Sequence, residues 1–127
     1  MSEKFSIKKR IKSFSYAFDG LKVLLKEEHN ARIHAVITLI IIILGLLFDI
    51  SATEWMFICL AIGLVIVSET LNTAIENLSD LVSPTKNDFI KKAKDLGAFA
   101  VLFSALIAVI IGLFIFLPHI INLFIKV

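Results

Sequence analysis

Four stretches of this chain repeat apolar residues at helical spacing, and the polar residues among them set the four apart. In Phe5–Lys26 the apolar positions Ile7, Ile11, Phe14, Phe18, Leu21 and Leu25 recur every three or four residues. Lys8, Lys9, Lys12, Asp19, Lys22 and Lys26 take the other side. That pattern predicts an amphipathic helix over about residues 5–27, of the basic, aromatic-containing kind that lies along a bilayer surface. A dense polar hinge, Lys26–His34, follows. Ala35–Phe48 is then apolar and, with Arg32 and His34 snorkelling at its inner end, makes a first span of about residues 31–50. After the brief connector Asp49–Glu54, the apolar run Trp55–Val67 opens a second helix of about residues 54–81, which Ser83-Pro84 stops. A third, about residues 89–117, opens with Lys91, Lys92, Lys94 and Asp95, turns apolar from Gly97 and is expected to break at Pro118, leaving His119–Val127 as an apolar tail.

The second helix changes character halfway. Its later part reads S-E-T-L-N-T-A-I-E-N-L-S-D over Ser68–Asp80, and Glu69, Asn72, Glu76 and Asp80 step by three, four and four. At roughly 100° per residue these side chains fall within about 80° of arc, a single polar stripe. A span takes about 20 residues to cross about 30 Å of hydrocarbon, whereas Trp55–Val67 supplies only about 20 Å. Glu69 and Asn72 are therefore expected below the membrane surface, Glu76 near its boundary and Asp80 in water. A carboxylate at the depth of Glu69 costs several kcal/mol unless it faces protein or a water-filled cavity, which marks it as functional (~2.5–3.5 kcal/mol on insertion scales).

Composition narrows the class. Of 127 residues 58% are hydrophobic, and the mean hydropathy is +0.93, far too apolar for a soluble domain of this size. The expected fold is all-α and integral to the membrane: one domain over residues 1–127, with a surface helix and three transmembrane helices. The lone cysteine, Cys59, falls mid-span and excludes a disulfide framework or thiolate metal site. The charged, amphipathic N-terminus does not resemble a cleavable signal. Nucleic acid is not an expected partner, because the aromatic residues of the first helix lie on its apolar face rather than among the lysines.

The formal charge is only +2, but lysine and arginine gather before the first span and between the second and third, while Asp49–Glu54 has none. By the positive-inside rule the N-terminus and the Val82–Lys94 loop are cytoplasmic, in a multi-pass protein of the inner (plasma) membrane. Tyr16 and Trp55 suit interface anchoring.

Depth then brings in chemistry. Counting about 22 residues, some 33 Å, inward from the outer ends Ile50, Glu54 and Leu117 lands on Glu28, Glu76 and Asp95, beside Lys94 and Arg32. Glu28 and Glu76, oxygen ligands at one depth, suit a hard divalent cation such as Mg²⁺. The surrounding lysines and aspartate suit a polyphosphate carried by that metal. Glu69, two turns deeper and drier, is placed to act as a general base on a hydroxyl presented from within the membrane. Asn72, between the two levels, is placed to orient a phosphate or the base. Together these parts describe phosphoryl transfer from a cytoplasmic nucleotide to a lipid alcohol. The Gly-rich phosphate loops of soluble nucleotide enzymes are absent, the five glycines being scattered singly. On the residues alone, an ion- or proton-coupled transporter subunit with a deep glutamate, or a structural subunit, accommodates the same pattern.

The run E-T-L-N-T-A-I-E-N-L-S-D at Glu69–Asp80, followed by A-K-D-L-G at Ala93–Gly97, resembles the signature of the prokaryotic diacylglycerol kinase family, which includes the undecaprenol kinases. Tyr16, Gly20, Glu28 and Arg32 fall at the spacing that family shows, and the resemblance covers essentially the whole chain. It implies a homotrimeric bundle with active sites built between subunits, using ATP and Mg²⁺ in phospholipid metabolism or cell-envelope lipid recycling. It implies Glu69 as catalytic base and Glu28 and Glu76 as metal ligands. Tyr16, Asn72, Asp80, Lys94 and Asp95 become nucleotide or phosphate contacts. Lys9 and Arg10 compete for the place of a family arginine, and Phe99 stands where the diacylglycerol-specific branch has a small residue. The run E-E-H-N-A-R-I-H is closer to the undecaprenol kinase branch.

Overall fold

The computed structural model describes residues 2–126 and is built from four helices: α1 (Ile7–Glu27), α2 (His29–Leu47), α3 (Ala52–Val82) and α4 (Asp88–Ile125). Three have local N-terminal caps written in the sequence. The Ser6 hydroxyl accepts from Lys9 N at 3.4 Å before α1, and the Asn87 side chain accepts from Phe89 N at 2.8 Å before α4. Ser51 and Glu54 form a reciprocal capping box at the start of α3, each N–H bonding the other's side chain at 3.2 Å. Such caps satisfy amide donors that the first turn leaves without intrahelical partners.

Helix α2 has no side-chain cap, because it starts where α1 stops. The polar hinge expected over Lys26–His34 contracts to a single extended residue, Glu28 (φ −107°, ψ 113°). Arg32 makes so sharp a break possible. Its guanidinium reaches back from α2 to donate to the Leu25 carbonyl at 2.7 Å and the Lys26 carbonyl at 2.6 Å, taking up acceptors that the end of α1 would otherwise leave open.

α2 turns into α3 through Asp49, in the left-handed region at φ 51°, a conformation that aspartate tolerates better than most residues. Gly45 permits the close approach at this end: a Cβ there would stand 2.6 Å from the Trp55 ring. Ile50, Ile58, Ile115 and Phe116 form the buried core beside it, with Leu44, Phe48, Trp55 and Ile111 packed around them. α3 and α4 form the most extensively packed pair, an antiparallel hairpin.

One expectation fails. Pro118 does not end the last helix, and the residues expected as a tail continue α4 to Ile125. Proline removes its own N–H and crowds one preceding carbonyl, a local loss. Just past it, His119 Nε2 lies 3.0 Å from Glu54 Oε2 and its ring packs 5.7 Å from that of Phe48, contacts that hold the continuing helix against α2 and α3.

α2, α3 and α4 are each long and apolar enough to cross a bilayer, with mean hydropathies of 2.1, 1.9 and 3.0 over their best windows. The 31 residues of α3 make a rod of about 46 Å, longer than the roughly 30 Å hydrocarbon layer. Measured from Ala52, Glu69 lies about 26 Å along it, still within one hydrocarbon thickness, and Glu76 about 36 Å along, beyond it.

Candidate active site

The polar stripe of α3 faces inward. Glu69 is 2% exposed, the most completely buried large side chain described, and Asn72, Thr73 and Ser79 are buried with it. Local bonds fix this face of the helix: Thr73 Oγ1 donates to the Glu69 carbonyl at 2.9 Å, and Asn72 Nδ2 donates to Glu76 Oε1 at 3.3 Å. Ser68 and Ser104 join α3 to α4 through a 2.7 Å hydroxyl pair. Gly97 of α4 lies directly against Asn72 Oδ1, so that a Cβ at this position would collide with it. Two buried oxygens in the stripe, Glu69 Oε1 and Asn72 Oδ1, have no hydrogen-bond partner. Polar atoms in that condition mark a strained or ligand-binding place.

Across from the stripe stands the break between α1 and α2. Glu27 and Glu28, adjacent in sequence, part company here. Glu27 Oε2 accepts from Asn77 Nδ2 at 3.1 Å, tying α1 to α3. Glu28 turns to Glu76 instead, and partial burial together with that second carboxylate pushes the Glu28 carboxyl above its ordinary range. The antiparallel register of α2 and α3 carries the pairing further into the membrane. Six residues past Glu28 and seven before Glu76, His34 Nε2 lies 3.2 Å from Glu69 Oε1. The two are within reach, although the ring is not aligned for a hydrogen bond. Sequence reasoning gave His34 only an interfacial role. The depth count that paired Glu28 with Glu76 would have found it, had it been continued inward by two turns.

The remaining expected site residues line other surfaces, although Lys94 stays within electrostatic range of Glu76. Lys94 bonds Asp80 at 2.6 Å, and Asp95 turns outward to Lys91 at 2.6 Å. Asp80, Lys94 and Asp95 line a polar cleft of about 490 Å³ with the α3–α4 turn. Tyr16 is exposed and lines a separate groove on α1 with Lys9, Arg10 and Lys12. One chain therefore assembles Glu28, Glu69, Asn72 and Glu76, sets Asp80, Lys94 and Asp95 on a neighbouring surface, and leaves Tyr16 distant. Among the described residues no three acidic, imidazole or thiol side chains converge as a metal cage. An apolar cleft of about 360 Å³ between α2, α3 and α4 has His34 on its wall and runs past Val65 and Ala61 toward Phe116.

Comparison with known proteins agrees with this architecture. Residues 15–116 match the family described as prokaryotic diacylglycerol kinase. The chain is 43% identical over 107 residues to the undecaprenol kinase of Bacillus subtilis, covering 84% of this chain and 87% of that protein. It is 36% identical over 112 residues to a diacylglycerol kinase of Synechocystis, covering 87% of this chain and 64% of the relative. To the diacylglycerol kinase of Escherichia coli K12 it is 30% identical over 100 residues, covering 79% and 82% respectively. Nothing among these relatives favours a transporter subunit. With a matched segment that runs from midway along the first helix through all of α2 and α3 and most of α4, and an acidic stripe at its centre, this chain belongs to the prokaryotic diacylglycerol kinase family and is a membrane lipid kinase.

Proposed function

We propose that the protein transfers the γ-phosphoryl group of ATP to the hydroxyl of a membrane lipid alcohol, with undecaprenol the preferred acceptor over diacylglycerol. The observation that carries this reading is the burial of Glu69 beside His34, which lines one end of an apolar cleft, two helical turns from a pair of carboxylates at the membrane boundary. The cleft gives a lipid tail a path along the helices. Its His34 end brings an acceptor hydroxyl to the carboxylate. Glu69 takes the hydroxyl proton as the acceptor oxygen bonds to the γ-phosphorus. The bond from that phosphorus to the β–γ bridging oxygen breaks, and ADP leaves with the electron pair.

Glu28 and Glu76 would hold a divalent cation. Their juxtaposition fits the donor set for Mg²⁺, which is commonly bound through one or two carboxylates plus substrate phosphates rather than by an all-protein cage. Burial and the facing Glu76 both raise the Glu28 carboxyl, and a cation held between the two would relieve their repulsion. The metal, when bound, supplies charge neutralisation on the phosphates. Asn72 orients the phosphate or the base; Asp80, Lys94, Asp95 and Tyr16 contact the nucleotide. A homotrimer completes the site, because within one chain Tyr16 lines the open groove of α1 and Asp95 turns to Lys91 on an exposed face. Wide apolar faces on all three long helices leave room for neighbouring copies as well as lipid. The reaction faces the cytoplasm at the inner membrane, the side on which the basic segments gather.

The deciding experiment offers undecaprenol and diacylglycerol side by side in mixed micelles with radiolabelled ATP and Mg²⁺. Labelled lipid phosphate should form from both, with undecaprenol turned over faster. Equal or reversed rates would remove the acceptor preference, and no labelled lipid at all would remove the proposed reaction.

A further inference from the structure

We infer that His34 is the positioning residue for Glu69: its imidazole, 3.2 Å from Oε1, holds the carboxylate in the orientation that receives the acceptor's proton. The inference rests on the reading of Glu69 as the base. A carboxylate that is 2% exposed has no access to bulk water, and the structure gives its Oε1 no hydrogen-bond donor. Such an oxygen needs a donor supplied by protein. Among the described residues no lysine or arginine pairs with Glu69. On its own helix Glu76 faces the same side, and from the α1–α2 break Glu28 does; both are acceptors when ionised. From α4 the Ser104 hydroxyl pairs with Ser68 at 2.7 Å, and neither of the two bonds Oε1. His34 is left as the side chain able to meet the need.

Its setting suits the task. The His34 side chain is 24% exposed against 2% for Glu69, so the ring stands between the buried carboxylate and the open side of the helices. A modest rotation of the imidazole about its side-chain bonds aligns an N–H with Oε1, a change that terminal ring torsions permit readily. The same side chain lines the apolar cleft. The acceptor hydroxyl therefore arrives between a wall that fixes the base and the base itself, and orientation at such a place is worth rate rather than affinity for the nucleotide.

The test compares His34→Leu, which keeps bulk and removes every polar atom, with His34→Gln, which restores an N–H donor. His34→Leu should lower kcat for lipid phosphorylation roughly tenfold to a hundredfold, at or below the lower end of the roughly 10²- to 10⁴-fold that acid–base catalysis supplies, as suits a residue that acts through the base. The KM for MgATP should stay within about twofold, since nucleotide contacts lie elsewhere. His34→Gln should recover most of the turnover. Wild-type kcat in the leucine variant, a defect carried wholly by the MgATP KM, or a glutamine variant no better than leucine would each overturn the inference. Glu69→Gln, assayed in parallel, separates the two readings. An inactive Glu69→Gln beside a fully active His34→Leu removes His34 alone, whereas an active Glu69→Gln removes the base and this inference with it. If the leucine variant fails to fold, the glutamine variant decides: kcat above about a tenth of wild type upholds the inference and a lower value overturns it.

Discussion

At the scale of single residues, Glu69 and Glu28 are two carboxylates in different settings, one buried and one at the break between α1 and α2. Glu69 is buried without a hydrogen-bond donor, an arrangement with no structural benefit of its own. Glu69→Gln preserves shape and removes basicity, so turnover should fall by roughly 10²- to 10⁴-fold while MgATP binding is kept, as steady-state kinetics and a nucleotide-binding assay would show. Glu28 sits at the edge instead, and its carboxyl is raised by burial and by Glu76. The folded, metal-free protein thus holds a proton more tightly than the unfolded chain between the ordinary carboxylate value and the raised one. The sign follows: this contribution to stability is full below the ordinary value and is lost as pH rises through the raised one. A cation at Glu28 and Glu76 must displace that proton. The Mg²⁺ concentration needed for half-maximal activity should therefore increase as pH falls toward the acid range, and Glu28→Gln should raise the requirement and flatten its pH dependence. An unchanged metal titration in that variant would count against Glu28 as a ligand.

At the scale of helices, the site depends on how closely α4 approaches α3. Gly97 lies against Asn72 Oδ1 with no room for a Cβ, while Asn72 bonds Glu76 from its other side-chain atom. Gly97→Ala should push Asn72 off Glu76 or separate the two helices, an overpacking cost of about 1–3 kcal/mol. Lipid phosphorylation should fall more steeply than thermal stability in detergent, since the displaced side chain belongs to the site. The element boundaries carry a related lesson. The caps at Ser6, Ser51 and Asn87 are local and were readable in order along the chain. The one-residue break at Glu28 was not, because it depends on Arg32 reaching back across it to two carbonyls. Pro118 misled for the converse reason. A local rule about proline gave way to tertiary contacts just beyond it, where His119 meets Glu54 and Phe48.

At the scale of the whole molecule, one chain brings together only part of the expected site. Glu28, Glu69, Asn72 and Glu76 share one centre, but Asp95 bonds Lys91 on an exposed face and Tyr16 lies on the open groove of α1. If neighbouring copies complete the site, two inactive variants should complement one another. Glu69→Gln and Asp95→Asn chains, mixed while unfolded and reconstituted together, should regain a substantial fraction of activity that neither shows alone. Activity no greater than the sum of the separate preparations would confine the site to one chain.

Much of this was legible in the sequence because membrane-spanning helices obey one-dimensional constraints. Length along a helix is depth, apolar runs are spans, and a three-four-four spacing is a face; from these the four helices and the α3 stripe with Glu69, Asn72 and Glu76 follow directly. Depth, however, says nothing about which way a side chain points at its level. That Lys94 turns to Asp80 while Asp95 turns to Lys91, that Glu27 binds Asn77 while Glu28 meets Glu76, and that His34 rather than solvent stands beside Glu69 were decided only when the helices packed. Rotation about each helix axis and the distance between axes are set by contacts such as Gly97 on Asn72, and those exist only in three dimensions.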